Sequence, residues 1–305
     1  MSSVRVFAPG SIGNVGPGLD ILGLAIAGAG DTVALVWNDD TTTVIDEAGH
    51  PDLPRDPARN TASIAALAVL RMAEIDRGLR IRITKGLPLS GGQGGSAASA
   101  VAAAVAASLL TDARLDPPEL LECALEAETS AAGRHLDNLA PSLLGGMVLV
   151  RSVDPVDVIR LPTPDTLRIV LAHPEQRLDT RSSRSVLPAT LPRELALQQA
   201  ADIAAMVAGA CLGDLTLLGR GIRDQIAEPA RAPLLPGFSA AQRAALDAGA
   251  LGCSISGAGP TAFALTDNDQ CAKRIAEAMV NAYRGAGVAA HATVTTVDLE
   301  GARAL

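Results

Sequence analysis

The segment Pro88-Leu-Ser-Gly-Gly-Gln-Gly-Gly-Ser96 carries the densest chemistry in the chain, with Gly91, Gly92, Gly94 and Gly95 set close together. Alternating Leu79–Thr84 runs into it as a strand, and an alanine-rich helical stretch leaves it at about Ser96. Glycines let successive backbone N–H groups converge on one anion, and a helix N-terminus adds its dipole. The segment therefore reads as a phosphate cradle, and the plain alternative for it alone is a strand-to-helix turn capped by Ser96. No Gly-Lys-Ser/Thr follows, so it is not a Walker A loop, nor is it the G-x-G-x-x-G dinucleotide fingerprint. Two further glycine-rich turns accompany it. Pro9–Gly23 holds Asn14 and Asp20, and Ser254-Ile-Ser-Gly-Ala-Gly-Pro-Thr261 lies far along the chain. Three such turns exceed what connecting loops ordinarily require.

Elements must position these turns. Strands are predicted over Val4–Phe7, Thr32–Val36 and Thr42–Ile45, with a Gly/Pro-rich turn over Ala8–Gly18. Asn60 follows the proline-rich Pro51–Pro57 and is placed to cap a helix over Thr61–Ile75. A second helix from Pro117 to about Ala132 and a strand over Met147–Val150, after Gly145–Gly146, complete the first half. The second half predicts a strand at Leu167–Ala172, one or two helices within Glu194–Leu218, and strands at Gly252–Ser256 and Thr261–Leu265. An amphipathic helix follows, with Ala272, Ile275, Ala276, Met279, Val280 and Tyr283 on one face, then a strand at Ala292–Val297. That order is a ferredoxin-like split β-α-β unit. The fold class is α+β in two domains, 1–155 and 156–305.

Composition narrows the function. With 305 residues, 48% of them hydrophobic, the chain buries a sizeable core and is not disordered. A net charge of −8 and only one Trp, one Tyr and three Phe argue against nucleic acid as a partner. Cys123, Cys211, Cys253 and Cys271 form no Cys-x-x-Cys pair and combine with no histidine at metal-ligand spacing. They read as reduced structural thiols of a cytoplasmic protein. The start, MSSVRVFAPG, has no signal-peptide pattern, and apolar Ser96–Leu110 is shorter than a bilayer needs, so no membrane is expected. The lysines are Lys85 and Lys273 alone, and neither stands where a Walker loop needs one.

The motifs together resemble the GHMP small-molecule kinase superfamily and, within it, the homoserine kinases. Asn14-Val-Gly-Pro-Gly-Leu-Asp20 is similar to the superfamily's first motif, Pro88–Ala98 to its phosphate loop, and Ser256-Gly-Ala-Gly-Pro-Thr261 to its third. His135-Leu-Asp-Asn-Leu-Ala-Pro141, followed by Gly145–Gly146, resembles the homoserine kinase signature rather than that of its cousins. The motifs run in the expected order from residue 9 to 261, so nearly the whole chain is covered. Gln93 stands where the loop usually has Leu, and Gly95 where it has its first Ser. Also, Gly133 and His135 lie one residue closer than usual.

This resemblance implies a two-domain GHMP kinase fold and the roles of particular residues. ATP would lie over Pro88, Leu89, Ser90, Gly91, Gly92, Gln93, Gly94, Gly95 and Ser96, with Asn60 near the adenine. Mg²⁺ would be held by Ser96 and Glu128, hard oxygen donors suited to it, whereas Glu126 falls on another helical face. Asn14, Asp20, His135, Thr180, Arg184 and Arg231 would bind L-homoserine, Asp20 meeting the ammonium and the arginines the carboxylate. Asp137 and Asn138 would face the reacting hydroxyl, orienting it rather than acting through a dedicated base. A homodimer is implied as well. The rivals are another GHMP kinase with a mevalonate- or shikimate-type acceptor, and a non-catalytic ligand-binding regulator on the same fold.

Overall fold

A computed structural model describes residues 3–131, 133–178 and 180–305. The chain opens with β1 (Val4–Gly13) and β2 (Leu22–Trp37), a long antiparallel pair whose register shifts between Pro9 and Ser11. That bulge absorbs the glycine and proline of the motif, so the strand continues through residues expected to turn. The true turn is Asn14–Ile21, and β2 begins ten residues before the predicted strand at Thr32. After β3 (Val44–Glu47) comes α1 (Thr61–Met72), capped by Asn60, whose side-chain oxygen accepts from the Ala62 N–H. β4 (Leu79–Thr84) then leads through the glycine loop into α2 (Gly95–Thr111). α3 (Pro117–Ala131), α4 (Leu139–Leu144), β5 (Met147–Val153) and β6 (Val156–Leu161) follow.

These strands form one seven-stranded sheet, ordered β11-β1-β2-β4-β3, with β5 on β2 and β6 on β5. β11 (Arg303–Ala304) is the chain's last strand, returning to pair with β1. α2 packs against β1 and β2, between α1 and α3. Its alanines are buried nearly all round, which a helix sandwiched in a core requires. Small side chains let it lie close to the sheet, and this fixes the height of the glycine loop at its N-terminus.

The second sheet contains β7 (Arg168–Pro174), β8 (Gly252–Ile255), β9 (Ala262–Thr266) and β10 (Ala290–Thr295), ordered β10-β7-β9-β8 and antiparallel throughout. Between β7 and β8 the chain forms α5 (Thr180–Ser185), α6 (Arg193–Leu212), α7 (Leu215–Arg220), α8 (Ala227–Arg231), a 3₁₀ turn and α9 (Phe238–Asp247). α10 (Asp269–Gly285) joins β9 to β10 and buries Ala272, Ile275, Met279 and Tyr283 beside Phe238 and Ala245 of α9. The β-α-β-β-α-β order and the 4-1-3-2 strand arrangement are those of the expected split unit.

The first sheet runs across residue 155, the position of the expected boundary. Asp154–Pro155 sits in the tight turn between β5 and β6, which pair with each other, so the first sheet extends to Leu161. The tail after β10 also belongs to that first sheet. A proline in a hairpin turn looks like a linker in sequence, and only the ladder distinguishes them. α6, 20 residues long and containing an 18-residue stretch of mean hydropathy 1.5, has the length and composition of a membrane span. Its buried polar residues are nevertheless tied to the protein: Gln199 donates to the Pro17 carbonyl and Asp202 accepts from Gln225.

Candidate active site

The glycine loop is anchored from behind by its carbonyls. The Thr261 hydroxyl donates to the Gly91 carbonyl at 2.5 Å, the Ser256 hydroxyl to the Gly92 carbonyl at 2.6 Å, and the Ser11 N–H to the Gln93 carbonyl at 3.1 Å. A trans peptide is planar, with its N–H opposed to its C=O. Anchoring three successive carbonyls on one side therefore turns the N–H groups of Gly92, Gln93 and Gly94 to the other. Gly92 and Gly94 have positive φ, 74° and 66°, and the N-cap Gly94 supplies no side-chain cap. The first turn of α2 thus keeps its own N–H groups open as well. Gly91, Gly92, Gly94, Gly95 and Ser96 border a cavity of about 450 Å³ whose walls also include Pro88, Ser90, Glu128 and Asn138.

Ser96 caps nothing; its hydroxyl donates to Glu128 Oε2 at 3.1 Å. Burial raises the Glu128 carboxyl to about 7, against the opposing pull of the Ser96 hydrogen bond and the Arg184 charge. A buried carboxylate at an anion-binding loop, with no ion pair among the described residues, is a site that favours a bound divalent ion. Glu126, by contrast, points outward and accepts from Arg71 at 2.6 Å. Asn60 borders the cavity, but its amide is engaged in the cap and in donating to the Pro54 carbonyl at 2.9 Å. The Leu89 side of the loop faces the cavity, whereas the Gln93 side chain turns to the rear and donates to Thr261 Oγ1 at 3.3 Å.

Beneath the loop lies a group that sequence reading passed over. Lys85 donates to Asp31, to the Gly95 carbonyl at 2.9 Å and to Ser99 Oγ at 3.2 Å. Asp31 is fully buried and also accepts from Ser99 Oγ at 2.6 Å and the Gly86 N–H at 3.1 Å. Every ammonium proton of Lys85 is thereby used on the framework. No local spacing marks this cluster. A lysine at the end of a strand feeding a glycine loop, in a chain with only two lysines, was the available signal.

At the floor of the cleft, the end of β1 meets the start of α4. Asp137 Oδ2 accepts from the Asn14 N–H at 3.1 Å and the Asn138 amide at 3.4 Å, and Asn138 Oδ1 accepts from the Ser11 hydroxyl at 3.0 Å. A Cβ on Gly13 would come within 2.4 Å of Asp137 Oδ2, so glycine is required there. Burial raises the Asp137 carboxyl to about 7, helped by the nearby charges of Asp20 and Glu128. Asn138 borders the cavity, while Asp137 lies buried beneath it.

The adjoining pocket carries both signs of charge. Arg184 donates to both oxygens of Asp20, at 3.0 and 2.8 Å, and His135 Nδ1 lies 3.4 Å from Asp20 Oδ1. Burial pulls the Asp20 carboxyl up, yet Arg184 and His135 outweigh it and hold it below its ordinary value. Asn14 links this pocket to the floor, its Oδ1 accepting from the Asp20 N–H and its amide donating to the Gly257 carbonyl. Arg231, only 3% exposed, donates to the carbonyls of Gly257 and Ser183 at 2.9 and 3.2 Å. Burial and the Arg184 charge both lower its pKa, the mark of a buried cation that gains from an added anion. Thr180 begins α5, but its side chain lies outside the described residues. Asn14, Asp20, His135, Arg184, Arg231, Asp137 and Asn138 are thus brought together beside the glycine loop.

Residues 60–146 match the family description "GHMP kinases N terminal domain" and residues 204–285 match "GHMP kinases C terminal". The homoserine kinase of Chlorobaculum tepidum is 41% identical over 298 residues, covering 93% of this chain and 91% of that one. The homoserine kinase of Arabidopsis thaliana is 41% identical over 311 residues, 99% of this chain and 84% of its own. The crystal structure of homoserine kinase from Cytophaga hutchinsonii superimposes with a TM-score of 0.95 at 40% identity, over 100% of this chain and 98% of that one.

Proposed function

The chain belongs to the homoserine kinase family of the GHMP kinases, enzymes that use ATP to phosphorylate the side-chain hydroxyl of L-homoserine for threonine synthesis, and we propose how its cleft performs that reaction. The nucleotide phosphates lie over Gly91–Ser96, received by the N–H groups of Gly92, Gln93 and Gly94 and by the open first turn of α2. The carbonyl anchoring of three consecutive peptides is the observation that carries this reading, because it fixes the loop with Gly92 and Gly94 on the cavity wall.

Glu128 and Ser96 fit Mg²⁺, since a buried carboxyl raised to about 7 beside a hydroxyl is an oxygen pair short of a cation. When bound, Mg²⁺ neutralises charge on the transferring phosphoryl group. Asp20 receives the substrate ammonium, Arg184 and Arg231 its carboxylate, and His135 and Asn14 hold Asp20 in place. Thr180 belongs to the same end of the pocket by resemblance alone. Asn138, fixed by Ser11 and Asp137, orients the hydroxyl. The hydroxyl oxygen forms a bond to the γ-phosphorus, the bond from that phosphorus to the β,γ-bridging oxygen breaks, and the hydroxyl proton passes to the phosphoryl oxygens. Asn60 forms the cavity wall at the adenine end.

A mevalonate-type acceptor has no ammonium and leaves Asp20 without a ligand partner. Incubating the protein with ATP, Mg²⁺ and a panel of amino-acid and polyol acceptors, with mass spectrometry of the products, tests the reading. O-phospho-L-homoserine is the expected product. Phosphorylation of mevalonate alone defeats the amino-acid pocket, and no product from any acceptor favours a binding protein. A homodimer belongs to the same reading, supported by the exposed apolar side of α6 at Leu197 and Leu212, 63% and 76% exposed. Sedimentation velocity checks it. The free thiols of Cys123, Cys211, Cys253 and Cys271 support a cytoplasmic place.

A further inference from the structure

Behind the glycine loop, three side chains meet at one hydroxyl. Thr261 Oγ1 lies 2.5 Å from the Gly91 carbonyl oxygen, 2.8 Å from His173 Nδ1 and 3.3 Å from Gln93 Nε2. A hydroxyl has one proton. Two oxygens at 2.5 Å need that proton between them, so the Thr261 hydroxyl donates to Gly91. The other two neighbours must then be donors. Gln93 supplies an amide N–H, and His173 must carry its proton on Nδ1, which settles its tautomer by inventory. His173 belongs to β7 of the second sheet, in register with His291 of β10, their rings 5.3 Å apart. It borders a separate cavity of about 350 Å³ between the sheets, on the reverse of the loop, together with Gln93 and Pro88.

We propose that His173 is a positioning residue for nucleotide binding: its Nδ1–H fills an acceptor site of the Thr261 hydroxyl, fixes that hydroxyl's proton on the Gly91 carbonyl, and so holds the Gly92 N–H toward the phosphates. It touches no substrate. Its effect passes through one hydroxyl and one planar peptide. Gln93, which stands where the superfamily motif has Leu, supplies the second donor to the same oxygen, making a two-donor clamp on the hydroxyl. Burial and the neighbouring His291 lower the His173 pKa, in keeping with a neutral ring protonated at Nδ1.

The inference rests on the reading that the nucleotide lies over this loop, and the test separates the two. Steady-state kinetics with MgATP and L-homoserine would be measured for H173L, H173N and H173Q, with melting temperatures recorded alongside. Asparagine places an amide N–H where Nδ1 was, whereas glutamine places it where Nε2 was. H173L and H173Q are expected to raise KM for ATP about 3- to 10-fold, the scale of one neutral hydrogen bond, with KM for homoserine within about twofold of the parent. H173N is expected to restore KM for ATP. A merely structural role lowers the melting temperature of all three without this split. Should H173L not fold, T261V against T261S makes the same comparison at the hydroxyl itself. KM for ATP unchanged in H173L, or restored equally by asparagine and glutamine, overturns the proposal. G94A is the control for the underlying reading, since a Cβ there would lie 2.2 Å from Ser11 Oγ on a backbone with φ 66°. If G94A weakens ATP and H173L does not, only the His173 role fails; if neither does, the placement of ATP fails.

Discussion

Arg184 and Asp20, 164 positions apart in the chain, bind each other through two parallel hydrogen bonds. Each partner is the group proposed to bind one end of a zwitterion, so homoserine must exchange with an existing ion pair. A ligand with only one charge frees a partner and leaves it half-buried and unmatched, which disfavours it. The expected outcome for D20N is a rise of about 10- to 100-fold in KM for homoserine, the scale of a charge-assisted bond, with KM for ATP little changed. In inhibition assays on the parent enzyme, 4-hydroxybutyrate and 3-aminopropanol should both bind far more weakly than homoserine. Equal binding of either analogue would remove the exchange argument.

Asp137 is buried, with its carboxyl raised to about 7, and accepts hydrogen bonds from Asn14 and Asn138. An asparagine in its place can still accept the Asn14 N–H and support Asn138. D137N is therefore expected to keep at least about a tenth of the parent kcat, whereas D137A, which supports neither, loses more. Single-turnover assays at saturating substrates would decide it. Turnover at background in D137N with homoserine binding intact would make Asp137 a general base.

The three glycine turns and the residues on them were legible in the sequence, because backbone-led chemistry leaves its mark in local composition. Roles for Asn14, Asp20, Asn138 and Ser96 came from the resemblance of those turns and of the His135–Pro141 motif to the GHMP kinases, not from their own spacing. Val4–Phe7 and Thr32–Val36 were read as strands, but the ends of β1 and β2 that run into the first turn were not, since those bulged, glycine-rich stretches lack the alternation that marks a strand. β6 was hidden behind its proline turn. Ser11, Asp31, Lys85, Ser99 and His173 were hidden for another reason: each acquires its role from a partner on a different element. The rearward turn of Gln93 is of this kind too, fixed by Thr261 168 positions away.

Removing Lys85 should expose how firmly the loop's base is built. K85M leaves Asp31 fully buried with its charge unmatched, and breaking one side of a buried pair typically costs about 3–5 kcal/mol. K85M with D31N removes the stranded charge, and the new amide can accept from the Gly86 N–H through its oxygen while its NH₂ donates to Ser99 Oγ, so it should recover most of that loss. Urea denaturation of the three proteins measures both effects. A double variant no more stable than K85M would mean that the ion pair is not what Lys85 contributes.

Glu128 couples the proposed metal site to pH with a definite sign. Its carboxyl rises from an ordinary value of 4.5 to about 7 in the folded protein, chiefly through burial. Between these values the native state holds a proton that the unfolded chain has released, so stability falls as pH rises through the window and levels off above it. E128Q lacks this titration. Relative to the parent it should be equally stable near pH 4.5 and more stable by pH 8, as read from denaturant midpoints. Binding reverses the balance, because a cation at Glu128 favours the ionised form. Titrating MgADP at pH 6.5 in two buffers of different ionisation enthalpy should show proton release by the parent that E128Q lacks. Equal release from both proteins would move the metal carboxylate elsewhere, while parallel stability curves would mean that Glu128 is already ionised in the free cleft.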